Sequence, residues 1–87
     1  MAASERRNHE RIKHRANIQV MTSQDVHTLE MRDFSESGLY LFCVDTSIVA
    51  INDQIRVQTL EMADAPVLDA VVVRLENNIG FAVHFTQ

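Results

Sequence analysis

The residues best suited to chemistry lie in one short polar stretch, Asp33-Phe34-Ser35-Glu36-Ser37-Gly38. The carboxylate of Asp33 and the hydroxyl of Ser35 are two positions apart, so both side chains point to the same side of an extended backbone. Gly38 follows, and a residue without Cβ is needed where a turn requires positive φ or where a ligand presses against the main chain. The stretch therefore predicts either a turn closed by local side-chain-to-backbone bonds, with Gly38 as its left-handed residue, or one side of a polar ligand site.

A second set of candidate residues lies near the N-terminus, where Arg7 and Arg11 place two guanidinium groups four positions apart. Residues 1–15 hold five of the eight Lys and Arg side chains and two acidic ones, Glu5 and Glu10, which gives a local charge of +3. The other residues carry −7, and the whole chain has a formal charge of −4. A basic arm on an acidic body suits one compact anion held at one place and disfavours general binding of polyanions.

Six segments with alternating or β-branched apolar residues predict strands at about residues 17–21, 26–32, 39–44, 54–61, 67–75 and 79–85. Polar turn residues separate most of these segments, and none has the spacing of a long helix. Short strands at regular intervals indicate an all-β sandwich or barrel, and an antiparallel barrel also hides its sheet edges. The prediction is a flexible basic N-terminal arm at residues 1–15 and a small six-stranded antiparallel β-barrel at residues 16–87.

Several function classes find no support in the sequence. The single cysteine, Cys43, lies in an apolar run and predicts a buried reduced thiol, as in cytoplasmic proteins. No apolar run approaches the roughly 18 residues of a membrane span, and residues 1–15 are polar where a signal peptide has its apolar centre. No Ser-His-Asp or Cys-His arrangement suggests an enzyme, and neither a cofactor nor a metal is predicted, because His9 and His14 lack further ligands at suitable spacing.

The two polar clusters together carry a family resemblance. Arg7 and Arg11 form an RxxxR motif, and Asp33, Ser35 and Gly38 form a DxSxxG motif. RxxxR followed by DxSxxG resembles the signature of the PilZ domain family, the bacterial receptors for cyclic di-GMP. The resemblance implies a small β-barrel, in agreement with the strand pattern.

The resemblance also implies a ligand-binding site, formed by Arg6, Arg7, Arg11, Asp33, Ser35 and Gly38. The arginines would bind the phosphates and the O6 and N7 atoms of guanine, because a guanidinium is planar and donates in pairs. Asp33 would accept from a guanine N–H edge, Ser35 would bond beside it and Gly38 would leave room for the base. Arg6 adjoins the first motif arginine, a position that in the family influences whether one nucleotide or a stacked pair is held. The resemblance further implies a tight turn at Asn52-Asp53, where the family has a Gly-Asp-like pair.

Three hypotheses about function follow. The first is a cyclic di-GMP receptor in which the arm closes over the nucleotide and the altered surface binds an effector protein. The second is a ligand-free adaptor of the same family that works through protein contact alone. The third is a small nucleic-acid-binding β-barrel, which the acidic body and the few aromatic residues disfavour. Nucleic acid is therefore not an expected partner.

Overall fold

Antiparallel strands make up most of the described protein. The computed structural model describes residues 12–86. For Lys13 it describes only the backbone. Its strands are β1 (Ile12–Met21), β2 (Val26–Ser35), β3 (Gly38–Phe42), β4 (Gln54–Thr59), β5 (Leu68–Glu76) and β6 (Gly80–Phe85). They close into a barrel in the order β1-β2-β3-β6-β5-β4, which confirms the predicted all-β fold with six antiparallel strands. Across these residues, no helix is long and apolar enough to cross a membrane.

Alternating side chains along the strands build the barrel core. On β4, Ile55 and Val57 are buried while Arg56 between them is exposed. On β6, Phe81 and Val83 are almost completely buried, as their shared face predicts. The core cluster comprises Ala16, Ile18, Val20, Met31, Leu39, Leu41, Cys43, Val49, Ile55, Val57, Ala70, Val72, Phe81 and Val83. Removal of this apolar surface from water is the main force that holds the strands together.

The first two strands are longer than the sequence indicates. β1 begins at Ile12 rather than near residue 17, and β2 continues to Ser35 instead of ending near Arg32. Of the described strands, only β2 pairs with the N-terminal half of β1, because the pairing with β4 starts at Ile18. Ile12 is the one large apolar residue of this half and is 52% exposed, and the polar residues that follow it give no apolar alternation in the sequence. The predicted boundary between arm and barrel, after residue 15, thus falls inside β1, and residues 1–11 of the arm lie outside the described residues.

Two register shifts lie side by side in the sheet. Between Lys13 and Ala16, β1 has one residue more than the facing part of β2. Between Met31 and Asp33, β2 in turn has one residue more than the facing part of β3. Such β-bulges bend a strand and change the direction of its side chains. Arg32 lies between the paired residues of β2 in both ladders, so its side chain leaves the regular pleat.

The two glycines of the chain let β3 and β6 approach closely. Gly38 begins β3, Gly80 begins β6, and neither has a positive φ. A Cβ on Gly38 would lie 1.9 Å from the carbonyl oxygen of Val83, and one on Gly80 would lie 2.2 Å from that of Leu41. The interpretation of Gly38 as a left-handed turn residue is therefore wrong. Its lack of a side chain is required by the backbone of the neighbouring strand.

Asparagines occupy the left-handed positions instead. Asn52 has φ 77° and Asn78 has φ 61°, and asparagine tolerates this region better than most residues with a side chain. Asn52 lies in the turn before β4, as predicted for Asn52-Asp53. Asn78 lies in the hairpin between β5 and β6, which the Ile79 amide closes by donating to the Glu76 carbonyl at 2.9 Å.

Candidate functional site

Asp33 and Ser35 lie on the outer face of the barrel, next to the two bulges. On β3, Asp33 faces Tyr40 and Ser35 faces Gly38. Phe34 between them packs against the core, so the two polar side chains share the opposite face, as their spacing predicts. Each is only 4% exposed. This end of β2 is therefore a recessed polar position in a strand and not a solvated turn.

Arg32 holds the Asp33 carboxylate and stacks on β3. Its Nε donates a hydrogen bond of 2.6 Å to Oδ2 of Asp33. The Cζ atom of the same guanidinium lies 3.9 Å from the centroid of the Tyr40 ring, within the range of a cation–π contact. The Asp33 side chain is 6% exposed and that of Arg32 is 44% exposed. The pair thus joins a buried anion to a cation that solvent or a ligand can reach.

Tyr40 is itself fixed by a charged pair on β5. Its hydroxyl donates to Oε1 of Glu76, whose Oε2 accepts from Nη2 of Arg74 at 2.8 Å. Burial and the bond to Glu76 raise the pKa of Tyr40 to about 12. The bonds from Tyr40 and Arg74 lower the pKa of the Glu76 carboxyl. At neutral pH the phenol is therefore protonated and donates to an ionised carboxylate, which holds the ring in place beneath Arg32.

Ser35 organises the short turn into β3. Its Oγ accepts from the Ser37 amide at 3.3 Å and lies 3.1 Å from Oγ of Ser37. Local side-chain-to-backbone bonds of this kind are one of the two roles that the sequence predicts for this polar stretch. Because Glu36 and Ser37 alone connect the two strands, the turn brings Ser35 directly opposite Gly38.

A cavity of about 490 Å³ lies beside Asp33, lined by His14, Arg15, Arg32, Asp33 and Phe42. The Cζ atom of Arg15 lies 5.0 Å from the centroid of the Phe42 ring, and its Nη1 lies 3.2 Å from Oε2 of Glu30. Arg15 and Arg32 are thus each stacked on an aromatic residue of β3. Guanidinium groups in such positions can bind phosphate oxygens and lie against flat bases.

The structure brings together the strand half of the predicted site. Asp33, Ser35 and Gly38 meet at the turn between β2 and β3. The other predicted ligand residues, Arg6, Arg7 and Arg11, lie outside the described residues. Binding of a ligand by any of the six residues stays a prediction.

Arg15 and Arg32 are not among the residues that the sequence assigns to the site. For Arg15 the sequence holds one signal that could have found it, because it follows Arg11 by the same four-residue interval that separates Arg7 from Arg11. Arg32 has no comparable signal. Its contact with Asp33 depends on bulges that arise only when β2 pairs with both of its neighbours.

The thiol of Cys43 lies outside the lining of the cavity beside Asp33. Cys43 is buried, as predicted, and burial raises the pKa of its thiol, which donates to the Asp45 carbonyl at 3.2 Å. Within residues 12–86, no group of three or more His, Cys, Asp or Glu side chains is placed to hold a metal ion. The groups that line the cavity beside Asp33 are two guanidinium groups, the recessed carboxylate, the His14 imidazole and the Phe42 ring.

Comparison with known proteins agrees with this architecture. The family model described as the PilZ domain matches residues 5–87 of the 87-residue chain. PilZ domains are ligand-binding and adaptor modules, and they form a family of cyclic di-GMP receptors. No curated protein sequence gives a match.

Two solved structures share the fold. The Bacillus subtilis inhibitor of motility (MotI/DgrA) has a TM-score of 0.75 and 16% identity over 94% of this chain and 43% of that chain, so this chain spans less than half of that protein. The PilZ domain of CeSA from a cellulose-synthesizing bacterium has a TM-score of 0.74 and 18% identity over 90% of this chain and 81% of that chain. At these identities the likeness shows the fold alone. Because the family model matches nearly the whole sequence, the chain belongs to the PilZ domain family.

Proposed function

We propose that the chain is a receptor for cyclic di-GMP that passes the signal to a partner protein. The ligand carries two phosphates and two guanines, so its receptor needs cations for the phosphates and matched donors and acceptors for the base edges. The observation that carries the proposal is the recessed carboxylate of Asp33 beside a cavity lined by Arg15 and Arg32. Membership of a cyclic di-GMP receptor family supports the same ligand.

The recessed carboxylate favours guanine over adenine. The Watson–Crick edge of guanine carries two N–H donor positions next to the O6 acceptor, whereas adenine has an acceptor nitrogen in the middle of that edge. An ionised Asp33 only accepts hydrogen bonds, and a buried acceptor that faces another acceptor is costly. A carboxylate also repels phosphate. In the proposal Asp33 therefore binds a base edge, and arginines bind the phosphates and the guanine O6 and N7 atoms.

The basic arm supplies the other half of the proposed site. Arg6, Arg7 and Arg11 come shortly before β1 in the sequence, and the first half of β1 contributes His14 and Arg15 to the lining of the cavity. In the proposal these arginines close over the nucleotide from the N-terminal side. The local charge of +3 in residues 1–15 attracts the doubly anionic ligand.

The proposed output is contact with a protein and not catalysis. Ordering of the arm over a nucleotide would change the surface around β1, and an effector could bind the changed surface. The inhibitor of motility, which shares the fold, provides an analogy for a regulatory role. The free, buried thiol of Cys43 suits the reducing cytoplasm, where we place the protein.

Isothermal titration of the full chain with cyclic di-GMP tests the proposal. The wild-type protein should bind, and replacement of either Arg7 or Arg11 by Ala should weaken binding by about tenfold to a hundredfold, because charge-assisted hydrogen bonds contribute about 1.5–3 kcal/mol each. Replacement of both should weaken it further. Asp33→Asn should also weaken binding, whereas Asp64→Asn, at an exposed carboxylate of the loop between β4 and β5, should leave it unchanged. Absence of heat with the wild type, or equal affinity for the double arginine variant, would refute the proposal.

A thermal-shift measurement separates the proposed receptor from a ligand-free adaptor. A ligand that binds only the folded state must raise the melting temperature by mass action. Cyclic di-GMP should therefore raise it for the wild-type protein, and cyclic di-AMP should raise it far less. An unchanged melting temperature with both nucleotides would favour a domain that works through protein contact alone.

A further inference from the structure

Arg32 is held in a fixed orientation before any ligand binds. One edge of its guanidinium bonds to Asp33 through Nε at 2.6 Å, and one face lies over Tyr40 at 3.9 Å. Tyr40 is fixed in turn by its bond to Glu76. An exposed arginine normally loses much rotamer freedom when it binds a ligand, and here most of that entropy cost is already met by intramolecular contacts.

The rest of the guanidinium remains available. In the part of the chain that the structure describes, Arg32 donates no hydrogen bond apart from the one from Nε. Its side chain is 44% exposed and lines the cavity next to Asp33. Its terminal N–H groups therefore adjoin the carboxylate at the site proposed for a guanine. A carboxylate has about four lone-pair positions, so the bond from Arg32 does not by itself prevent Asp33 from accepting from a base.

Asp33 and Arg32 lie side by side and together present a definite pattern of hydrogen-bond acceptors and donors. The Asp33 carboxylate offers acceptors, and the neighbouring terminal N–H groups of Arg32 offer donors. Guanine presents the complementary order on its Watson–Crick edge, with the N2 and N1 donors followed by the O6 acceptor. Adenine presents an acceptor followed by a donor and would place like groups against each other. Asp33 and Arg32 together therefore match both the N–H donors and the O6 acceptor of guanine. The carboxylate alone would match only the N–H donors of guanine.

We propose that Arg32 is a specificity-determining residue that binds guanine O6 while Asp33 accepts from the N–H groups of the same base. This inference rests on the proposed binding of cyclic di-GMP. It adds a residue outside both sequence motifs to the site, and it gives a reason for the cation–π contact with Tyr40, which keeps the guanidinium beside the carboxylate. If Arg32 were instead only a counter-ion that blocks Asp33, removal of Arg32 would leave the binding of cyclic di-GMP equal or make it tighter.

Titrations of Arg32 variants with cyclic di-GMP and cyclic di-AMP test the inference. Arg32→Ala should weaken binding of cyclic di-GMP by roughly tenfold, in the range found for loss of a specific contact to a base. It should weaken binding of cyclic di-AMP less, so the ratio of the two dissociation constants should fall. Equal or tighter binding of cyclic di-GMP by Arg32→Ala, with an unchanged ratio, would overturn the inference and identify Arg32 as a counter-ion.

Two further variants separate recognition from folding. Arg32→Lys keeps a positive charge beside Asp33 but lacks the planar group, so it should keep the melting temperature close to wild type and still lose discrimination between the two nucleotides. If Arg32→Ala proves unstable, this lysine variant decides the question, and retained discrimination overturns the inference. Arg56→Ala removes an exposed arginine that lies 3.5 Å from Asp69 in the β4–β5 ladder, and it should bind like the wild type.

The outcomes distinguish this inference from the function on which it rests. If the wild type binds cyclic di-GMP with the expected dependence on Arg7 and Arg11, but Arg32 variants bind and discriminate like the wild type, only the role of Arg32 is wrong. If the wild type binds no cyclic di-GMP, the proposed function is wrong and the role of Arg32 falls with it.

Discussion

Replacement of Gly38 by Ala tests the argument that this glycine is required by the barrel itself. The new Cβ would lie 1.9 Å from the carbonyl oxygen of Val83, whereas carbon and oxygen atoms in adjacent strands normally stay about 3.3 Å or more apart. Strands β3 and β6 must therefore move apart locally by more than about 1 Å, which stretches the hydrogen bonds that flank Gly38. The nearest atoms belong to the backbone of Val83 and His84 and not to a flexible side chain that could move aside.

The expected cost follows from these two effects. Overpacking costs typically about 1–3 kcal/mol, and each weakened ladder bond adds up to about 1 kcal/mol. A total of about 2–4 kcal/mol corresponds to a fall in melting temperature of about 10–25 °C for a domain of this size. Circular dichroism during heating, without ligand, measures the effect. Gln24→Ala, at an exposed position of the β1–β2 turn, provides a control that should melt within a few degrees of wild type.

Two results would contradict this reasoning. A melting temperature of Gly38→Ala within about 4 °C of the wild-type value would show that the strands accommodate a methyl group without the calculated cost. Normal stability combined with loss of cyclic di-GMP binding would show that the glycine serves the ligand and not the contact with β6.

Three other predictions concern single residues. Tyr40 is the only tyrosine, and its pKa of about 12 lies above the ordinary value of about 10, so ultraviolet titration should show phenolate formation only near that higher pH. Since the folded state holds the proton more tightly, stability should fall between these two pH values, and Tyr40→Phe should lack this fall. Cys43, whose thiol pKa is raised by burial, should react at least about tenfold more slowly with a thiol reagent in native than in denatured protein; equal rates would contradict its burial. Asn78→Ala should cost about 1 kcal/mol by chemical denaturation because of the positive φ, whereas Asn78→Gly should be nearly neutral; equal stability of the two variants would count against strain there.

The fold could be predicted because apolar alternation and turn residues act locally. Ile55 and Val57 alternate with exposed neighbours on β4, and Asn77 and Asn78 mark the last hairpin. The N-terminal half of β1 could not be predicted in the same way, because it buries little surface and pairs on one side among the described strands. Its strand character comes from pairing with a distant segment of sequence.

The site was predictable only in part, for a related reason. Asp33 and Ser35 follow a spacing that places them on one face whatever the partner strand. Arg32 reaches Asp33 only because bulges in two ladders change its direction, and no local pattern encodes those bulges. The close approach at Gly38 could not be predicted locally, because the atom that a Cβ would meet belongs to Val83, far along the chain.

The one-sided pairing of early β1 has a mechanical consequence. Up to residue 17 a single described ladder, to β2, resists displacement of the strand, and the β4 side begins with the Leu60 amide, which donates to the Asn17 carbonyl at 3.0 Å. A force applied through the preceding arginines would first bend the bulged segment between Lys13 and Ala16, next to Arg32. The part of β1 that contains the buried residues Ile18 and Val20, which pairs on both sides, would be displaced only at a higher force. The barrel can thus stay folded while its first strand changes course, so the proposed signal would need no unfolding of the domain.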